Sequence, residues 1–201
     1  MGRIKGRKPE ETRESVLEAA TQTFAERGYA NATLGLIAER AGVTAATLPY
    51  HFKNKEGLYA AVIEGVYGDL ITLGRTLGAR ARFEDVVREV YAWAEDNRDG
   101  IRLILRAIIE QGGLDHSVRE LRMGPTLDLI SRLIAQRYGV APQGAREGVV
   151  ALTHLVMRFV TNRPEDNCIA FGITDPELCR RRIIDLLSRT GRHLMGLSED
   201  A

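Results

Sequence analysis

Apolar side chains recur at helical spacing along almost the whole chain, and no stretch alternates with a period of two. Glycine and proline fall between these periodic stretches, where they stop or start helices instead of interrupting them. A chain so patterned folds as helices packed on helices, so the expected class is all-α. The first helix spans about 9–27, with Thr12, Val16, Ala20 and Phe24 on one face and Gly28 as its stop. A short helix follows Thr33 and carries Leu34, Ile37 and Ala38 up to Gly42. Another is expected to start from Thr44 as N-cap and to hold Leu48. Asn54 reads as the N-cap of a long helix over 55–77. Further helices are expected near 83–97, 99–111, 125–138, 143–162 and 176–195. Pro125, Pro142 and Pro176 stand at starts, and Thr174 or Asp175 precedes the last. Residues 163–174, with Pro164, Asp166, Asn167 and Gly172, read as the longest loop.

Charge is informative only in its distribution. The chain of 201 residues carries +1 overall, yet Arg3, Lys5, Arg7 and Lys8 put +4 on residues 1–8, which leaves −3 on the rest. A basic arm on a slightly acidic body suits contact with a polyanion. The longest apolar stretches are interrupted by arginine and fall short of the ~20 residues of a membrane span, so no membrane association is expected. No apolar segment follows the basic arm as a secretory signal would require, and Cys168 and Cys179 form no disulfide framework; the expected location is the cytoplasm.

Residues 33–58 read TLGLIAERAGVTAATLPYHFKNKEGL. Two short helices meet at a tight turn over 41–43, where Gly42 tolerates the positive φ that a sharp reversal needs. Ile37, Ala38, Val43 and Leu48 supply the apolar contacts that fix their crossing. This is the helix-turn-helix plan, in which the second helix enters a major groove. Thr44, Ala45, Ala46 and Thr47 are small enough for close backbone approach, Tyr50 and His51 bring hydrogen-bonding groups, and Lys55 opens the next helix. The basic arm can add phosphate contacts or reach a minor groove. A helical hairpin inside an ordinary bundle, with Tyr50, His51 and Phe52 as core, is the alternative.

The longer segment GYANATLGLIAERAGVTAATLPYHFKNKEGL, after a helix ending in TFAERG, resembles the N-terminal domain of the TetR family of bacterial transcriptional regulators over about residues 10–60. The resemblance implies a three-helix DNA-binding domain over 1–54 and a larger helical ligand-binding and dimerisation domain over 55–201. By the same resemblance, Thr33 contacts phosphate and Thr44, Ala45 and Ala46 stand where base edges are read. Thr47, His51 and Lys55 fall at backbone-contact positions, Tyr50 touches base or phosphate, and Phe52 locks the helix into the core. Two residues depart from the family pattern: Pro49 replaces a usual tyrosine, and Ala46 a frequent glycine.

By the same resemblance the body is expected to hold an effector pocket, with Tyr67, Phe83, Tyr91, Trp93, Ile104, Ile108, Met123 and Leu127 as candidate lining and His154 and Arg158 as polar handles. The helix around 149–160 is apolar nearly all round and the last helix carries a long stripe. Leu152, Val156, Phe159, Ile183, Leu187 and Leu194 are therefore expected at a homodimer seam, as TetR-like proteins dimerise through their last two long helices. Partners are then a duplex operator, an unknown small-molecule effector and a second copy. No metal or other cofactor is expected. No Glu-x-x-His pair, nucleophile elbow, P-loop or paired C-x-x-C occurs, and His51, His116, His154 and His193 are scattered, so no enzyme is expected. The expected function is a repressor released from a palindrome by its effector. Alternatives are an activator, a ligand-independent regulator or a protein-interaction module.

Overall fold

The computed structural model describes residues 8–77, 82–112 and 116–198; Arg3, Lys5 and Arg7 of the basic arm lie outside them. Among the described residues the chain is helical, with no strand. In order come α1 (Pro9–Asn31), α2 (Leu34–Ala41), α3 (Thr47–Phe52), α4 (Lys55–Thr76), α5 (Phe83–Asp96) and α6 (Arg98–Gln111). A single turn, α7 (His116–Val118), runs through a π-helical stretch (Arg119–Met123) into α8 (Gly124–Tyr138), followed by α9 (Pro142–Thr161), α10 (Pro164–Phe171) and α11 (Pro176–Met195).

Two apolar cores organise these helices. The first gathers Val16, Ala20 and Phe24 of α1, Ile37 and Ala38 of α2, Leu48 and Phe52 of α3, and Leu58, Val62 and Ile63 of α4. Leu103, Ile104 and Ala107 of α6 close it from the other side. The second core is built by α5, α9 and α11, around Phe83, Val87, Tyr91, Val149, Val156, Ile183 and Leu187. The most extensive helix–helix packing is between α9 and α11 and between α8 and α9. Each core buries large side chains almost completely, and a Leu, Ile, Val or Phe so buried contributes roughly 1.5–3 kcal/mol of transfer free energy.

Three expectations are corrected here. Residues 163–174 are not a loop: Pro164 opens α10, Glu165 and Asp166 sit in its first turn, and Gly172 closes it in the left-handed conformation. Proline and acids that read as loop residues are also what a helix N-terminus favours. Ile183 and Leu187 are not available to a second copy, being 2% and 0% exposed within one chain, and Val156 is buried beside them. The most regular stripe of an amphipathic helix turns to its own core first. Of the six residues assigned to the seam, Leu194 remains exposed, while Leu152 and Phe159 are half-buried against the second core. The third correction concerns α3.

Candidate nucleic-acid interface and ligand cavity

The turn between α2 and α3 is fixed by main-chain bonds. Gly42 takes φ 68°, ψ 32°, its N–H donates to the Glu39 carbonyl at 3.1 Å, and the N–H of Val43 donates to the Ala38 carbonyl at 2.9 Å. That pair of bonds satisfies the orphan carbonyls of α2 and drops the half-buried Val43 against the first core. At the other end of α2, Thr33 Oγ1 accepts from the Leu36 N–H at 3.2 Å. This cap uses the hydroxyl as acceptor and leaves its proton free to donate outward.

α3 begins two residues later than its cap signal suggests. Thr44–Ala46 form a turn, with the Thr47 N–H bonded to the Thr44 carbonyl at 2.9 Å and the two threonine hydroxyls 3.0 Å apart. Pro49 is the physical reason. A helix started after Thr44 would place proline at its fifth position, where an N–H is required; started at Thr47 it places Pro49 in the first turn, where none is. Leu48 and Phe52 point inward at 1% and 7% exposure, and Tyr50 points outward at 84%. Thr44, Ala45 and Ala46 are exposed; Thr47 and His51 are half-exposed, with the Tyr50 and His51 rings edge to face at 5.1 Å. Thr44–Thr47, Tyr50 and His51 are thus small or hydrogen-bonding side chains accessible at the start and on the outer side of α3, and Thr33 is accessible at the start of α2. The bundle alternative fails for Tyr50.

Lys55 is turned elsewhere. Its ammonium lies 4.5 Å from the centre of the Tyr29 ring and donates to the Ala30 carbonyl at 3.3 Å, tying the first turn of α4 to the end of α1. Tyr29 donates to Glu56 Oε1 at 2.9 Å and stacks within a Phe24–Tyr29–Tyr59 cluster. The exposed cation at the end of α3 is instead Lys53, missed in the sequence because nothing marks its backbone. It adopts φ 66°, ψ −56°, the one non-glycine residue at positive φ among those described, and reverses the chain so that the Asn54 N–H meets the Phe52 carbonyl at 2.7 Å. Asn54 then caps α4 by accepting from the Gly57 N–H at 2.8 Å, and a Cβ on Gly57 would come within 2.3 Å of the Phe52 carbonyl oxygen.

The body holds a partly open cavity of about 610 Å³ between α4, α5, α6, α8 and α9, within the usual range for small-molecule sites. Tyr67, Phe83, Trp93 and Ile104 line it as expected. Leu152 and Val156, assigned from sequence to a dimer seam, line it too. Ile108, Met123 and Leu127 do not: Ile108 is 40% exposed on α6, and the other two pack beside the two cores. Tyr91 faces a separate cleft toward Cys179 and Arg180, where burial and the Glu95 carboxylate push its phenol up to about 12. His154 and Arg158 are also corrected. Both are exposed on the outer face of α9, with His154 Nδ1 2.8 Å from the Val150 carbonyl oxygen, so neither can serve as a handle inside. The polar groups of the wall are Arg75, Gln136, Arg137 and Tyr138 at the far ends of α4 and α8, with Tyr67 and Thr153. Among the described residues, no cluster of His, Cys, Asp or Glu could hold a metal, and no helix is long and apolar enough to cross a membrane.

A helix-turn-helix unit with a solvent-facing third helix, set on a helical body with an apolar cavity, defines the class of fold. Residues 16–62 match the model of bacterial regulatory proteins of the tetR family. Over these residues, the N-terminal helices and the turn between α2 and α3, the chain is similar to the TetR family. It is 35% identical over 100 residues to the HTH-type transcriptional activator FasR of Mycolicibacterium smegmatis, covering 47% of this chain and 46% of that one. It is 39% identical over 57 residues to the HTH-type transcriptional repressor AcnR of Corynebacterium glutamicum, covering 28% and 30%. The aligned stretches thus span less than half the length of these relatives. Solved structures share the whole fold: the fatty acid degradation regulator FadR of Bacillus halodurans has a TM-score of 0.65 at 19% identity, covering 98% of this chain and 100% of that one. A tetR-family transcriptional regulator of Streptomyces coelicolor has 0.67 at 15%, covering 96% and 80%.

Proposed function

We propose that this protein binds duplex DNA through residues 1–54 and is controlled through residues 55–201, most simply as a repressor that a small-molecule effector releases from a palindromic operator. The observation that carries the reading is the outward strip on α3. Its inward residues Leu48 and Phe52 anchor the helix, and small or hydrogen-bonding side chains are left on the side that would enter a groove. Thr33, Thr44, Thr47, Tyr50 and His51 would contact backbone or base, and Ala45 and Ala46 offer methyls suited to thymine. Arg3, Lys5, Arg7 and Lys8 would add phosphate contacts, as would Lys53. The geometry of Lys55 favours a structural role in place of the phosphate contact assigned to it from sequence.

Control would run through α4. Its first half holds Leu58, Val62 and Ile63 in the same core as α3, and its second half, from Val66 to Leu77, walls the cavity. A ligand that favours one setting of α4 biases the setting of α3 with it. Two copies would present two recognition helices to two half-sites, joined through the outer faces of α9 and α11, where Leu155, Leu178, Leu186 and Leu194 retain exposure. The relatives include a named activator and a named repressor, so the sign of regulation is the finer part of the proposal.

Selection of sites from random duplex DNA at a stated salt concentration tests the reading. Enrichment of a palindrome supports it. Folded protein that enriches nothing, alone and with a metabolite pool, overturns it in favour of a protein-interaction module.

A further inference from the structure

Resting on the effector reading of the cavity, we propose that its ligand is an amphipathic anion: an extended hydrocarbon chain ending in a carboxylate. The wall follows α4 from Tyr67 to Leu77, ten residues or about 15 Å at helical rise, so the chamber is elongated. Its length is lined by aliphatic and aromatic side chains, and none of the wall residues is Asp or Glu. Its cations, Arg75 and Arg137, lie at one end, where the last turns of α4 and α8 converge. Position in a last turn explains why these residues are basic, since cations complement the helix dipole. It does not explain a wall with two guanidiniums and no carboxylate.

The two arginines differ in what they do. Arg137 donates to the Leu77 carbonyl at 3.0 Å and lies 5.1 Å from the Tyr138 ring, so it builds that end of the chamber. Arg75 is exposed and makes no ion pair among the described residues. A planar carboxylate at this end would meet the fork of Arg75 with its tail laid along the apolar wall. A neutral head there would leave the cation without a charged partner, and a cationic head would be repelled.

Trp93 is the one tryptophan of the chain and lies in the wall, so its emission reports occupancy directly. The full chain is titrated, below micelle formation, with fatty acids of about eight to fourteen carbons, the alcohols of the same lengths and the alkyltrimethylammonium series. We expect the acids to shift Trp93 emission and to bind at least about tenfold more tightly than alcohols of equal length. Arg75→Gln should bring the acids to the level of the alcohols and leave alcohol binding unchanged. An alcohol or ammonium that equals the acid, a preference that survives in Arg75→Gln, or a series that leaves Trp93 unmoved would overturn the proposal. Site selection on DNA without ligand is read separately, so failure here is distinct from failure of the DNA-binding reading.

Discussion

Arg106 lies directly against Gly28, far away in sequence: a Cβ built on Gly28 would stand 2.9 Å from Arg106 Nε. Gly28 interrupts α1 with φ 75°, ψ 165°, a conformation essentially reserved for glycine, and the carbonyls it frees are taken by α6. Arg106 Nη1 donates to the Glu26 carbonyl at 3.0 Å and to that of Ala25 at 3.3 Å. Gly28→Ala therefore strains the backbone and displaces the guanidinium together. The expected loss is about 2 kcal/mol or more in urea unfolding. A variant as stable as the parent would show that α1 tolerates another path there.

Lys53 supplies the opposite case, a side chain where glycine belongs. Its positive φ is held by Phe52 packing on one side and the Asn54 cap on the other. Lys53→Gly should raise stability by about 1 kcal/mol, the relief of strain exceeding the entropy that glycine adds to the unfolded chain. Thermal unfolding checks this, and a lowered midpoint would contradict it.

Most of the helices were legible from apolar spacing and from Gly and Pro, because those residues act through local backbone geometry that needs no tertiary context. Gly42 and Asn54 do what their types dictate. The errors share one cause: which face of a helix turns where depends on its neighbours. Ile183 and Leu187 made a good stripe, but whether a stripe faces its own core or a second copy is not written in its spacing. His154 and Arg158 lie one turn apart as expected, on the face of α9 that points away from the cavity. Pro49 stands out in the sequence as a departure from the family pattern, yet its effect, shifting the start of α3 to Thr47, depends on counting hydrogen bonds from the N-terminus. Lys53 could not be found, since its signal is a dihedral angle.

Acid stability should depend on Glu84. A hydrogen bond from Arg192, whose Nε lies 2.5 Å from Glu84 Oε1, holds this carboxyl below the usual range. The folded state then binds fewer protons than the unfolded one at mildly acidic pH. The contribution is present above the ordinary carboxylate pKa and is lost as pH falls through the lower folded value. Glu84→Gln should lower stability at neutral pH and flatten its decline below about pH 4.5. Parallel slopes for parent and variant in acid unfolding would show that other carboxylates govern that limb.

The two thiols should be inert in the native protein. Cys168 and Cys179 are both buried, on α10 and α11, and burial with the neighbouring Cys168 pushes the Cys179 thiol up to about 11. Thiolate is the reactive form, so alkylation near neutral pH requires local opening. Iodoacetamide should label neither residue appreciably in the folded chain and both in urea. Rapid native labelling would place the α10–α11 contact among the regions that open readily.

α6 gives the DNA-binding unit a second link to the cavity besides α4. Ile104 sits in the cavity wall and in the first core, and Arg106, two residues on, grips the end of α1. Arg106 is also paired with Glu110 at 2.6 Å, which fixes the guanidinium on its own helix before it reaches α1. Pressure on Ile104 from a ligand would therefore move the anchor of α1 and not only α4. Arg106→Met keeps an unbranched stem against α1 and removes the donors to both carbonyls. Ligand binding read from Trp93 should be unchanged, because Arg106 does not line the cavity. The ligand's effect on DNA affinity should fall by roughly five- to tenfold, the size of about 1–1.4 kcal/mol of coupling. Equal coupling in parent and variant would assign the whole linkage to α4, whose continuous helix spans both cores without help from α6.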